Sequence, residues 1–169
     1  MKRTDLPGYF QQVLRDIHYV TIATVGPGNI PWNSPVVGYF DDDLNVYWSS
    51  DTRSQHSKNI ARQPSIFVVV YDTTLPLGEG KGLYLQMKAR KLLRPTEVEA
   101  AKQIYLDRFG EDAHEPFVGS CPRRIYMAEP VRVWTNTDGA RGGHFIDIRK
   151  RLLTEHGSAM AANRSRLLY

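Results

Sequence analysis

The chain has 169 residues, 41% of them hydrophobic and 24% charged, with a formal net charge of +4. That length and balance predict one globular domain with a real core and exclude a disordered chain. No run nears the roughly 20 apolar residues of a membrane helix, and the opening "MKRTDLPGYFQQVL" lacks an apolar signal core, so the expectation is a cytoplasmic protein away from membranes.

In chain order, "PGYFQQVLRDI" predicts a short amphipathic helix with Phe10, Val13, Leu14 and Ile17 on one face. "YVTIATV" predicts a first strand, "GPGN" a turn, and "IPWNSPVVGYF" a second strand interrupted by prolines. "DDD" at 41–43 is a further turn before "LNVYWSS", so the three strands read as an antiparallel meander. The next 14 positions, "DTRSQHSKNIARQP", are polar. They predict a helix over 54–62, capped by Thr52 or Ser54 and stopped by Pro64.

A helix start exposes unpaired backbone N–H groups and a partial positive charge. Here Ser49, Ser50, Thr52 and Ser54 add hydroxyls, and Arg53 and His56 add fixed or switchable charge. Two readings stay open on local chemistry: a site for a phosphate, or a capped surface helix with scattered polar residues.

Further on, "SIFVVVYD" is too continuously apolar for a one-sided strand and predicts burial on both faces. "GLYLQMKARKLL" predicts a long strand. "TEVEAAKQIYLDRFG" predicts a helix capped by Thr96 and ended by Gly110. "RRIYMAEPVRVWTN" returns to strand, and "GGHFIDIRKRLL" suggests a last short one. At least six strands with short turns and few helices predict a closed or partly closed antiparallel barrel. Residues 1–153 form the expected domain. Residues 154–169 read as a basic tail, and residues 149–169 carry the whole charge excess, with Arg149, Lys150, Arg151, Arg164 and Arg166 against Glu155. The body has no basic stripe, which argues against a nucleic-acid reader.

Other candidates weigh less. Cys121 is the lone cysteine, so no disulfide framework exists, and the thiol reads as structural. "EDAHE" lacks the paired histidines of a zinc site, so no metal is expected. "LGEGKG" lacks the full phosphate-loop pattern, and "TDGARGGHF" reads as a lid or a plain connection. His18 and His156 have no evident partners.

The order "TIATV…PWNSPVVGYF…LNVYWSS…SQHSKNI…QPSIFVVVYD…GLYLQMKARKLL" resembles the flavin-binding split barrels of the pyridoxamine-phosphate-oxidase-like family, over roughly residues 8–136. Members of that family have a strand ending in Ser or Thr, a Ser-containing helix start with a basic residue, then an Ile and an Asn-Pro-like stop. Ser49 and Ser50, then Ser54, Gln55 and His56, then Ile60 and "QP" match in order. The resemblance implies a mainly β (α+β) antiparallel split barrel with a few short helices. It also implies a homodimer with FMN at the subunit interface and the phosphate against that strand end and helix start, where Arg53 also lies. On the same resemblance Asn33, Ser34 and Val36 face the flavin ring edge through their backbone, Gln86 contacts the cofactor, and Trp134 shelters the ring.

Departures qualify the likeness. His56 stands where the oxidase itself often has lysine, and Met87 where many relatives have glycine. The end "RKRLLTEHGSAMAANRSRLLY" does not match the Arg- and His-containing substrate motif of true pyridoxamine-phosphate oxidases. The resemblance therefore implies an FMN-dependent oxidoreductase acting on a small molecule, with no catalytic side chain assigned. A deazaflavin-dependent reductase and a non-catalytic flavin or haem binder are its alternatives.

Overall fold

The computed structural model describes residues 1–76, 79–137, 140–141, 144–145 and 148–153. The expected basic tail at 154–169, with His156, lies outside the described residues, as do the first two residues of "LGEGKG" and the glycines of "TDGARGGHF". The elements run α1 (Gly8–Asp16), β1 (Tyr19–Val25), β2 (Pro31–Val37), β3 (Tyr39–Phe40), β4 (Val46–Asp51), α2 (Gln55–Arg62), β5 (Ser65–Tyr71) and β6 (Gly82–Lys91). They continue as α3 (Pro95–Phe109), β7 (Arg123–Thr137), β8 (Ala140–Arg141), β9 (His144–Phe145) and β10 (Ile148–Leu153). No helix among the described residues is long and apolar enough to cross a membrane.

The main sheet has the order β2-β1-β5-β6-β7-β4-β3, with β10 added on β7, and all its pairings are antiparallel. Its two outermost strands, β2 and β3, are separated in sequence by Gly38 alone. A strip whose opposite edges are joined by one residue must curl on itself, and the sheet forms the expected split barrel. A Cβ at Gly38 would stand 2.7 Å from Val20 Cγ2, so the chain can cross at this corner only where there is no side chain.

Curling sorts the alternating side chains. Val20, Ile22, Val46, Trp48, Ile66, Val68, Val70, Leu83, Leu85, Met87 and Val133 point inward and form the main core, joined by Phe10, Val13 and Leu14 of α1. Each such buried aliphatic side chain contributes about 1.5–3 kcal/mol. A second cluster lies on the other face of β4 and β7, where Val98 and Ala101 of α3 pack against Tyr39, Tyr47, Ile125 and Met127.

Three expectations change. The strand expected over 30–40 breaks at Gly38 into β2, which pairs with β1, and β3, which pairs with β4, so the expected meander passes from one edge of the sheet to the other at that residue, and β4 continues the sheet onto β7. α3 starts at Pro95 with Arg94 in the cap position, so Thr96 does not cap it. Proline suits a first helical residue because its φ is preset and its missing N–H has no intrahelical acceptor there. Gly110 ends the helix at φ 74°, as expected. In β5 only Ile66, Val68 and Val70 are buried, whereas Ser65, Phe67 and Val69 are half-buried and Tyr71 is exposed. The apolar outer face of that strand is only partly covered within one chain.

α2 is tied to the barrel by a buried amide. Asn59, 1% exposed, donates from Nδ2 to Thr24 Oγ1 at 2.9 Å and accepts from Gln55 Nε2 at 2.8 Å. Removing one partner of a buried hydrogen bond costs about 1–3 kcal/mol. Asn59→Ala is therefore expected to destabilise the protein by that amount, seen as a lower urea midpoint with an unchanged slope.

Candidate functional site

α2 begins where the sequence places it. Ser54 holds extended backbone angles (φ −61°, ψ 153°), and its Oγ accepts from the Ser57 amide at 3.3 Å while donating to Ser57 Oγ at 2.8 Å. This cap satisfies the Ser57 N–H; the N–H groups of Gln55 and His56, first and second in the helix, have no acceptor inside it. Helical spacing puts His56, Asn59 and Ile60 on the buried side and leaves Lys58 in solvent.

His56 enters the seam between β2 and β4. Its Nε2 lies 2.6 Å from Ser50 Oγ on β4, and its Nδ1 lies 3.2 Å from Ser34 Oγ on β2. Trp32 Nε1 donates to the same Ser34 oxygen at 3.1 Å. Tyr126, stacked on Trp48 at 5.6 Å between centroids, lies behind the site and hydrogen-bonds Ser57. The result is a cluster of hydroxyls, Ser34, Ser50 and Ser54, at the positive end of a helix.

The charges are arranged less simply than the sequence suggests. Arg53 turns back on Asp51: Nε and Nη2 meet the two carboxylate oxygens at 3.0 and 2.7 Å, and the Arg53 amide donates to Oδ1 at 2.8 Å. These bonds hold the Asp51 carboxyl down to about 2. Two opposite charges so paired add little net field. Burial pushes the His56 pKa below its usual 6.5, so the imidazole is neutral at neutral pH. Burial likewise raises Tyr126, so its hydroxyl keeps its proton. Arg124 stands opposite Ser50 across the β4–β7 ladder, with its guanidinium on the Gly119, Cys121 and Arg123 carbonyls.

The structure divides the remaining sequence-predicted residues between two faces. Ser49 points away from Ser50 and accepts from Arg123 Nη2 at 2.7 Å. Val36 is 8% exposed and belongs to the main core, so its side chain is not open to a ligand. Asn33, Gln86 and Trp134 lie on the outer face of the sheet, in a row that runs Asn33–Ala23–Phe67–Gln86–Arg132 across five strands. Trp134, one step along β7, stacks on Phe67 at 6.0 Å and carries Arg151 over its ring at 5.6 Å. Gln86 Oε1 accepts from Arg132 Nη1 at 3.2 Å. Sequence reading missed Trp32, Arg132 and Arg124. Strand alternation with Ser34 and Trp134 would have found the first two, whereas Arg124 needed the β4–β7 register. Away from the site, Cys121 is half-buried and donates to Glu115 Oε2 at 3.5 Å, and His114 is exposed.

Comparison with known proteins gives one family and one fold. The family model described as Pyridoxamine 5'-phosphate oxidase matches residues 6–137. A pyridoxamine 5'-phosphate oxidase-related, FMN-binding protein from Nostoc punctiforme superposes with a TM-score of 0.62 at 16% identity, covering 94% of this chain and 96% of that one. An F420 reductase superposes at 0.57 and 20% identity, covering 76% of this chain and 98% of its own. A haem-binding protein from Mycobacterium smegmatis superposes at 0.61 and 16% identity over 83% of this chain and 57% of its own. Among curated proteins there is no match.

The neutral His56 makes stability depend on pH. Its folded pKa lies below 6.5 and its unfolded value near 6.5, so between the two the unfolded chain binds more protons. The contribution is complete above about 6.5 and is lost as pH falls through the folded value. Urea unfolding from about pH 5 to 7.5 should show this rise with pH, and His56→Gln should flatten it.

Proposed function

The chain belongs to the pyridoxamine 5'-phosphate oxidase family, and on that premise we propose that it binds FMN and works as a homodimeric, flavin-dependent oxidoreductase on a small molecule. The observation that carries this reading is the convergence of Ser34, Ser50 and His56 on the capped start of α2. A phosphate monoester needs several short hydrogen-bond donors and positive potential. The Ser34 and Ser50 hydroxyls, the first helical N–H groups and a histidine that can charge meet that need. The residues therefore fit the phosphate end of FMN.

Asn33, Gln86, Arg132 and Trp134 would address the ring and shelter it. Gln86 has a defined role in this reading. A guanidinium only donates, so Arg132 must take the amide oxygen, and the Gln86 NH2 is left to donate outward. Bound FMN supplies hydride or electron transfer, while the chain contributes position, polarity and exclusion of water.

The partly covered sheet face supports a dimer. Tyr19, Val37 and Tyr71 are exposed on the outer side of the sheet, beside half-buried Phe67, Val69, Tyr84 and Trp134. A second copy would cover this apolar surface and bury the ring site. The likeness to an F420 reductase supports a deazaflavin as the second reading.

The test is direct. The visible spectrum of purified protein is recorded, and FMN, a deazaflavin and haem are then added separately. FMN is expected to bind, and Ser50→Ala combined with His56→Ala is expected to weaken it at least tenfold, about 1.4 kcal/mol or more, with an unchanged circular dichroism spectrum. Equal affinity in that variant removes the phosphate from this cradle. Val69→Glu should convert a dimer to monomers by light scattering; a wild-type monomer at micromolar concentration would count against the assembly.

A further inference from the structure

We propose that His56 is the proton-accepting residue of the cradle: a phosphate monoester binds with uptake of one proton by His56, which turns the Ser34 and Ser50 hydroxyls into donors toward the ligand. The inference rests on the cofactor reading above and concerns how that same cradle obtains its charge.

The argument is a count of donors and acceptors. The ring touches one hydroxyl at each nitrogen, Ser50 at Nε2 and Ser34 at Nδ1. A neutral imidazole has one N–H and one lone pair, and a hydroxyl has one proton and two lone pairs. In the neutral ring, therefore, one serine must donate its only proton to the bare nitrogen. That serine has no proton left for a ligand. In the imidazolium both ring nitrogens donate, both serines accept, and both hydroxyl protons are released to point elsewhere. Ser34 is then fully committed as an acceptor, because Trp32 Nε1 already occupies its other lone pair. Its proton must find an acceptor, and an anion at the start of α2 provides one. No atom need move beyond two hydroxyl rotations. The proton comes from solvent, and only an N–H bond forms.

Among the described residues, no neighbouring group performs this task instead. On α2 and the turn before it, Arg53 is held by Asp51 of β4, and Lys58 points to solvent. On β7, Arg124 is held by loop carbonyls and Tyr126 stays protonated. On β2 the residues facing His56 are Trp32 and Ser34, and on β1 Thr24 is engaged by Asn59. Among these groups only His56 titrates near neutral pH. Desolvation alone holds it neutral, so an arriving dianion reverses the balance.

The experiment titrates FMN into the wild-type protein between about pH 7 and 9, where the phosphate is doubly charged and the free imidazole neutral. The dissociation constant is expected to rise with pH by up to about tenfold per unit, the slope of one linked proton. Calorimetry in buffers of different ionisation heat should report up to one proton taken up. The imidazole nitrogen signals should move to the charged pattern when FMN is added. Riboflavin, without the phosphate, should bind with no such slope. His56→Asn should bind FMN weakly and His56→Lys tightly, both without pH dependence over this range. FMN binding with a flat profile, or an equal slope in His56→Asn, overturns this inference and leaves the cofactor reading standing. Failure of FMN to bind at every pH overturns both.

Discussion

One imidazole spans the split in this barrel. Among the described residues, β2 is paired only on its β1 side, and the second half of β4, from Trp48 to Asp51, only on its β7 side. The two edges meet covalently at Gly38 and diverge from there. Open edges expose unpaired backbone groups and invite water or other strands. α2 closes the gap with side chains instead: His56 reaches Ser34 on one edge and Ser50 on the other, and Asn59 fastens the helix to Thr24. The polar character of the helix follows from this position. The hydroxyls of Ser34, Ser50 and Thr24 call for hydrogen-bonding partners, and an apolar helix would leave them without these bonds.

The same geometry separates two surfaces with different chemistry. Inward from the seam the side chains are apolar, aliphatic with a few aromatic, and packed as the buried core. Outward, Tyr84 and Trp134 lie next to each other on β6 and β7, Val69 on β5 adjoins Tyr84, and Arg149 and Arg151 of β10 stack on the two rings. Aromatic and arginine side chains together are what interface cores favour, because each offers broad apolar area with a polar edge. The seam thus carries a cluster of hydroxyls, and the outer face of β5, β6 and β7 carries an aromatic one. A molecule with a phosphate at one end and a planar ring at the other has matching needs.

Much of this was legible in the sequence, for identifiable reasons. The span of α2, its Ser54 cap and its inward histidine follow from local rules of helix starts and spacing, and they hold. β1, β6 and β7 carry strong alternation and were placed almost to the residue. The consecutive antiparallel pairings of the first three strands hold, but the break inside the second is not legible, because pairing order is a long-range property: nothing near Gly38 states that the chain leaves one edge of the sheet for the other. β5 looked buried on both sides because its outer residues are as apolar as its inner ones, yet only the inner set is covered within the single chain. Arg53 looked like a cation for the cradle because distance in sequence hides direction. Asp51, two residues earlier, captures it through an arrangement that only the turn geometry reveals.

Why a histidine should occupy the seam follows from what the free protein needs. A lysine there would bring a permanent charge into a buried gap whose nearest partners are hydroxyls, and stranding a charge in that way costs on the order of several kcal/mol. Neutral histidine avoids that cost, because desolvation already favours its uncharged form. It also hydrogen-bonds both edges at once, which a lysine ammonium at the end of a flexible stem does less rigidly. The demands of closing the barrel and of receiving an anion are opposed in charge, and they can be met by one residue only if its charge changes when the anion arrives. Ser34 and Ser50 make that change possible without rearrangement, since a hydroxyl can accept or donate in the same place. The polar pair that holds the split together is in this way also the pair best placed to recognise a ligand within it.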